Sequence, residues 1–381
     1  MPDNFQAGSS PASPDLAGIL AVFSPNGKPV KAAPYGSGHI HETYRVRISA
    51  GSHPGFILQR VNQRIFPDVP RLMENIMRVT THLRRRLAAV PGSDPDREVL
   101  TVIPASDGHP WHRDAAGDFW RCFRFIEHLD LGERPQTPGQ AFEAGRVFGR
   151  FIDLLSDLPP ASLHEIIPRF HDVAFRLEQF QAARQADPLG RSRETGAEID
   201  FILARAEEMN RVRVAGRQGR IRLRVTHNDT KFNNVLFDRA QRGLCPIDLD
   251  TVMPGYLASD FGDAVRSAAS SAMEDEGDPA GIRVDLDVFR ELARGFLFAL
   301  GAGSEEGETG LLAFGAKLLT FLVGLRFLTD HLAGDVYFKT ARPGHNLQRA
   351  RAQFALLADM ERHFSEMEEI VGTAAEKING A

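Results

Sequence analysis

His227-Asn228-Asp229-Thr230-Lys231-Phe232-Asn233-Asn234 is the stretch on which the reading of this 381-residue chain turns. Before it, Ile221, Leu223 and Val225 alternate with arginines, the period of a half-buried strand. After it come two short apolar runs, Val235 to Phe237 and Cys245 to Ile247, with Asp238 to Gly243 as the turn between them. In a hairpin, the residue before the first strand lies beside the residue after the second. Asn234 is therefore expected next to Asp248, and both offer hard oxygen donors that suit Mg2+. Asp229 stands at the same end, and a carboxylate beside a divalent-metal site is what phosphoryl transfer needs. Two other readings are open: a surface hairpin with polar ends, or Asp248-Leu249-Asp250 as the D-x-D of a glycosyltransferase. The second leaves His227, Asp229 and Asn234 without a task. Asp260-Phe261-Gly262 imitates a metal-binding D-F-G, but it does not close the hairpin that starts at Asn234. Asp260 precedes a helical stretch and is expected as its N-cap.

Outward from this island, the first third reads as a small sheet with one helix. Tyr44 to Ile48 alternates, and Phe56 to Val61, Val99 to Ile103 and Trp120 to Ile126 are strand-like. Asp68 is placed to cap a helix with Leu72, Ile76, Val79, Leu83 and Leu87 on one stripe. After Ile126 the pattern is helical except for the island. The expected fold class is α+β: a disordered segment over 1–14, a β-rich lobe over 15–126 and a larger α-helical lobe over 127–381. Leu311 to Leu328 is apolar, but Lys317 and Arg326 interrupt it, so a buried helix is expected and no membrane partner. The net charge of −5 gives no basic footprint for nucleic acid. Two cysteines, Cys122 and Cys245, make neither a disulfide framework nor a metal set. The first residues lack an apolar signal core, which points to the cytoplasm. A monomer or weak homodimer is expected.

His227, Asp229 and Asn234 resemble the H-x-D-x-x-x-x-N catalytic loop of kinases, with Lys231 two residues after the base. Ile247-Asp248-Leu249-Asp250 resembles the I-D-x-[DE] motif of aminoglycoside and choline phosphotransferases, whose first aspartate holds the metal. Gly36-Ser37-Gly38-His39, the island running into Asp248 to Gly255, and Phe327 to Tyr337 together resemble the N-acetylhexosamine 1-kinase group, over roughly residues 35 to 355. The resemblance implies a two-lobed protein-kinase-like fold using ATP and Mg2+. It implies Asp229 as base, Lys231 on the moving phosphoryl group, and Asn234 and Asp248, with Asp250, at the metal. Gly36 and Gly38 are expected to approach phosphates, and Arg60 to supply the third-strand cation in place of the usual lysine. Backbone groups at Ile126 to His128 are the expected adenine contacts. Its helix partner for Arg60 stays open, because Glu74 points away from the Leu72 and Ile76 stripe. His39, Arg326 and Tyr337 are the implied acceptor contacts, and the implied acceptor is an amino sugar phosphorylated on its anomeric hydroxyl. Arg326 can also be read as a cation near a helix C-terminus. Other acceptors remain open, among them an amino alcohol, a thiosugar or an aminoglycoside, the last because Asp260, Asp263, Asp330 and Asp335 could face a polycation. A nucleotide-binding pseudokinase is the remaining rival, although Asp229, Asn234 and Asp248 are all present.

Overall fold

The computed structural model describes residues 15–23, 29–36, 40–48 and 54–379. The segment 1–14, Gly38 and His39 lie outside the described residues. The chain divides into two compact units: residues 1–69 with 101–125, and residues 70–100 with 126–381. The fold class is α+β, with a small antiparallel sheet in the first unit and a larger, mostly helical second unit.

The first unit holds helix α1 (Leu16–Phe23) and strands β1 (Pro29–Pro34), β2 (Glu42–Ile48), β3 (Phe56–Arg60), β4 (Val102–Ile103), β5 (His112–Arg113) and β6 (Phe119–Arg124). The strand order is β1-β2-β3-β6-β4, with β5 also paired to β6. One sheet face is apolar because β2 and β3 alternate. Val46 and Leu58 are buried with Trp120 and Cys122 against Ile19, Leu20 and Phe23 of α1. Nothing in the sequence pattern foreshadowed α1 or β1. β1 reads Pro-Val-Lys-Ala-Ala-Pro, and its prolines are tolerated because it is an edge strand.

In the second unit, α2 (Val69–Ala88) buries the expected stripe of Leu72, Ile76, Val79, Leu83 and Leu87. One continuous first lobe over 15–126 is not what forms: residues 70–100, including α2 and α3 (Pro95–Glu98), cluster with the second unit. The cause is polar as well as apolar. Asn75 Nδ2 donates to the carbonyls of His164 (2.8 Å) and Val252 (3.1 Å) from a buried position. The remaining helices are α4 (Pro138–Leu154), α5 (Val173–Ala186), α6 (Gly196–Arg205), α7 (Arg211–Arg217), α8 (Leu257–Ala268), α9 (Leu286–Leu300), α10 (Glu306–Thr309), α11 (Leu312–Ala333), α12 (His345–Arg362) and α13 (Phe364–Asn379). Between α7 and α8 lie four short strands, β7 (Arg224–Thr226), β8 (Val235–Phe237), β9 (Gly243–Pro246) and β10 (Met253–Gly255), paired β7 with β10 and β8 with β9.

Two details set the site. α11 is long and apolar enough to cross a membrane, but 83% of its most apolar window is buried inside the unit. α8 crosses α11 at close range: a Cβ on Gly262 would strike the Gly315 carbonyl, and one on Gly315 the Ala258 carbonyl. That approach fixes α8, which carries Asp260, beneath the island.

Candidate active site

The strand entering the island is shorter than the alternation suggested. Leu223 is exposed, and Arg224 turns inward to a buried ion pair with Glu308 (2.6 Å). The hairpin logic holds: Val235 pairs with Pro246, and the Ile247 N–H donates to the Asn234 carbonyl at 2.8 Å. Asn234 therefore sits beside the segment that begins at Asp248.

The loop between β7 and β8 is pinned from below by Asp260. Its Oδ2 accepts the His227 N–H and its Oδ1 the Asn228 N–H, both at 2.7 Å, and its carbonyl accepts the Thr230 hydroxyl at 2.5 Å. This corrects the expected N-cap. Tyr256 precedes α8 as its cap residue, and Asp260, fully buried in the first turn, braces the loop more than thirty residues upstream. Burial raises its carboxyl to about 6, against the pull of His227 and of the two N–H donors toward the ionised form.

His227 is a second brace. A carbonyl can only accept and an N–H can only donate, so the contacts fix its tautomer. Nε2–H donates to the Ile247 carbonyl (2.9 Å), and Nδ1 accepts the Asp229 N–H (3.3 Å). The ring is edged by Phe148 and Phe151 of α4, at 5.7 and 5.6 Å between centroids. Thr251 Oγ1 donates to the His227 carbonyl at 2.7 Å, and Asn228, in the left-handed region, sends Nδ2 to the Thr251 carbonyl at 2.9 Å.

Between these braces Asp229 is held open-handed. Lys231 Nζ lies 3.0 Å from Oδ1, and Asn234 Nδ2 donates to Oδ2 at 3.0 Å and to the Asp229 carbonyl at 2.9 Å. Burial pushes the Asp229 carboxyl up, but Lys231, His227 and Arg266 outweigh it and hold it below the usual carboxylate range. Lys231 is correspondingly raised, by Asp229 first, and stays protonated. Asn234 spends its amide nitrogen on Asp229, which leaves the oxygen of its side chain to face a cation. Asp248 is exposed in a left-handed conformation, and Asp250 is buried; their carboxylate oxygens come within 4.8 Å of each other. This all-oxygen set of Asn234, Asp248 and Asp250 fits a hard divalent cation.

A charged cluster flanks the loop. Arg266, one turn and a half beyond Asp260, is buried and reaches Asp263 Oδ1 and Glu274 Oε2, both at 2.9 Å. His171, just before α5, feels the charges of Arg326, Arg176, Asp229 and Arg266; burial first, then Arg326 and Arg176, lower it to about 3, so it is neutral. Arg326 Nη2 meets the Tyr337 hydroxyl at 3.4 Å. Arg326 lies well inside α11, two turns before its end at Ala333, so the helix-terminus reading does not apply. Tyr337 is positioned by Asp330, which accepts the N–H groups of Val336, Tyr337 and Phe338 at 2.7 to 2.9 Å.

The other expected residues are placed as follows. Gly36 is exposed with φ +80°, a conformation that favours glycine. Arg60 is not a spare cation for phosphate: it pairs with Glu42 across the β2–β3 register and with Asp118 at 2.9 Å. The Ile126 carbonyl accepts from its near neighbour His128 Nδ1 at 2.7 Å, while the Ile126 side chain joins Leu236 and Cys245. Glu74 pairs with His164 (2.6 Å), away from the α2 stripe as expected. The Asp260 brace, His171 and Arg176 were not legible in the sequence. Asp260 had one usable signal, a carboxylate among the apolar residues of Leu257 to Val265, a run that also holds Ser259 and Asp263, because a polar group in a buried helix must be hydrogen-bonded.

A family model described as "Phosphotransferase enzyme family" matches residues 31–294. Among solved structures, the chain is similar to a microcompartment-associated aminopropanol kinase, at 19% identity with TM-score 0.57, covering 92% of this chain and 97% of that one. An amicoumacin kinase in complex with AMP-PNP, Ca2+ and Ami matches at 14% identity and TM-score 0.59, covering 90% and 93%. The choline kinase of Cryptosporidium parvum Iowa II matches at 13% identity and TM-score 0.54, covering 89% and 91%.

Proposed function

The chain belongs to the phosphotransferase enzyme family, and we propose that it transfers the γ-phosphate of ATP to a hydroxyl of a small molecule. The narrower reading is the anomeric hydroxyl of an N-acetylhexosamine, giving the sugar 1-phosphate. The observation that carries the kinase reading is Asp229, a single carboxylate held between Lys231 and Asn234 by a loop whose backbone is braced twice.

Asp229 orients the acceptor hydroxyl and takes its proton as the oxygen attacks in line. Its depressed pKa makes it a weak base but keeps it ionised, so orientation is the larger part of its work. An anomeric hydroxyl suits such a base, being more acidic than an ordinary alcohol. Lys231, held protonated, faces the charge that gathers on the moving phosphoryl group. Asn234, Asp248 and Asp250 would hold Mg2+, which when bound would supply positive charge beside the nucleotide phosphates. Arg326 and Tyr337 supply donors and an acceptor to the sugar substituents. The support for the amino sugar is the joint resemblance of these segments to N-acetylhexosamine 1-kinases.

The test is ADP release from Mg·ATP with a panel of N-acetylhexosamines, simple hexoses, amino alcohols and aminoglycosides, followed by ³¹P–¹H correlation NMR of the product. Phosphorus coupled to the anomeric proton is the expected result. A 6-phosphate, or brisk turnover of another class with none of any hexosamine, overturns the narrower reading.

A further inference from the structure

Many arginines in the second unit meet a carboxylate. Arg191, Arg205, Arg213, Arg224 and Arg266 each pair with one at 2.6 to 2.9 Å. Arg176 and Arg326 do not, nor do Arg134, Arg211 and Arg349: among the described residues none of these has an ion-pair partner, and of them Arg176 and Arg326 share one aromatic neighbour, Phe170. Arg176 donates Nε and Nη2 to the Phe170 carbonyl, both at 3.0 Å, and Nη1 to Gln179 Oε1 at 2.7 Å, all neutral acceptors. Among the described residues, the one hydrogen-bond partner of Arg326 is the Tyr337 hydroxyl. Its guanidinium otherwise faces the rings of Phe170, Tyr337 and Phe338 at 5.2 to 5.6 Å. Asp172, whose charge reaches Arg176, is already held by Arg169 and Arg213 at 2.8 Å each.

The two cations also act on each other. Burial, then Arg326, lowers Arg176 to about 10. His171, stacked on Phe170 at 4.5 Å and held neutral, adds no charge. Three of the acids that could have welcomed a polycation are spent, Asp260 on the loop, Asp330 on the Tyr337 loop and Asp335 on Arg191, while Asp263 gives Oδ1 to Arg266 and keeps Oδ2 buried without a hydrogen bond. The result is a half-buried cationic cluster with aromatic faces, within electrostatic reach of the ring that also senses Asp229. Two uncompensated guanidinium forks suit a planar or tetrahedral anion, which accepts from them two bonds at a time.

We infer that Arg176 and Arg326 receive an anionic group, a carboxylate or a phosphate, carried by the acceptor itself, so that the preferred acceptor is an acidic sugar. The inference rests on the proposed kinase reading, in which the acceptor lies on the Asp229 side of the loop. The ring of such a sugar stacks on Phe170, Tyr337 or Phe338 while the anion is held by the arginines.

The experiment compares N-acetylglucosamine with its 6-phosphate and with its derivatives carboxylated at position 3 or 6, using the full chain with Mg2+. kcat/KM by ADP release and Kd by calorimetry, with a non-hydrolysable ATP analogue present, are measured for each. At least one charged member is expected to exceed the parent sugar by about tenfold to a hundredfold in both, the worth of a charge-assisted hydrogen-bond pair. The carboxylated and phosphorylated members tell which anion is taken. The ratio of charged to neutral is expected to collapse in Arg176→Gln and in Arg326→Gln, and nucleotide affinity in Arg176→Gln to stay within about twofold of the parent. Equal or better binding of the neutral sugar overturns the inference and leaves the kinase reading standing. A tenfold loss of nucleotide affinity in Arg176→Gln overturns it too, because the arginine then serves the nucleotide. If no member is phosphorylated, the transfer reading has failed, and the binding ratios alone decide the anion site.

Discussion

Asp260→Asn separates what Asp260 does for the fold from what it does for the loop. A carboxyl raised from 3.8 to about 6 binds its proton more tightly in the folded chain than in the unfolded one. Its contribution to stability is therefore greatest below pH 3.8, falls as pH rises toward 6, and is level above that. A rise from 3.8 to about 6 is worth about 3 kcal/mol. Asn resembles the protonated acid: one oxygen still accepts an N–H, while the other N–H loses its acceptor, at a cost of about 1 to 3 kcal/mol already present in the protonated parent. The variant is thus expected to be at least as stable as the parent at pH 7.5, and its stability lacks the decline between pH 4 and 6. Activity runs the other way. The ionised carboxylate holds both the His227 and Asn228 N–H groups, one residue before Asp229. Losing one grip lets Asp229 drift, and a misplacement of about 1 Å costs about a hundredfold.

The parent's kcat is therefore expected to fall on an acid limb with midpoint about 6. Asp229 cannot supply that limb, since its carboxyl is held below the usual range. The assay is kcat from pH 4.5 to 8 at saturating Mg·ATP and acceptor, beside urea unfolding over the same range. The Asn variant is expected to show low activity with no limb near 6. A limb at 6 that persists in the variant belongs to the nucleotide or another group, and the reasoning fails. It fails as well if the variant loses several kcal/mol at pH 7.5, because the two N–H donors then outweigh burial and the carboxyl is depressed rather than raised.

Asp229→Asn is expected to lower turnover by about 10² to 10⁴ while leaving Mg·ATP affinity nearly unchanged by calorimetry; a kcat near that of the parent rules Asp229 out as the base. Asp248→Ala is expected to require much higher Mg2+ for half-maximal activity than Asp260→Ala, since only Asp248 stands beside Asn234; a Mg2+ titration of both variants decides it, and the reverse order refutes the metal assignment. Gly262→Ala drives a methyl into the Gly315 carbonyl at the α8–α11 crossing. It is expected to cost about 1 to 3 kcal/mol, read as a lower thermal midpoint, and an unchanged midpoint shows that the helices can part freely there.

The parts of the fold that were legible in the sequence are those governed by neighbours in the chain. The α2 stripe, the β2 alternation and the hairpin from Val235 to Pro246 all follow from periods of 3.6 or 2 and from turn residues. β1 was not legible, because Pro-Val-Lys-Ala-Ala-Pro has no period and becomes a strand only by lying along β2. The place of α2 was not legible either. Its stripe says that it packs, and Asn75, buried on that helix, says against what, through His164 and Val252 at 89 and 177 residues' distance in sequence.

The site divides along the same line. Asp229, Lys231, Asn234 and Asp248 fall within twenty residues and a single hairpin, so local topology alone brings them together. The charged and titratable residues that surround them come from elsewhere: Asp260 from α8, His171 from before α5, Arg176 from α5 and Arg326 from α11. Their roles depend on charges meeting across the helical unit, which no spacing in the sequence encodes. Arg326 shows the consequence. Near the end of an apolar run it reads as a cation for a helix terminus, but the helix continues to Ala333 and its side chain turns to Tyr337. On the proposed reading, the chemistry common to phosphoryl transfer is written in one contiguous segment, whereas recognition of the acceptor is assembled from separate helices. That reading predicts that a change of acceptor needs substitutions on α5, α11 and the Tyr337 loop, with the island from His227 to Asp250 untouched.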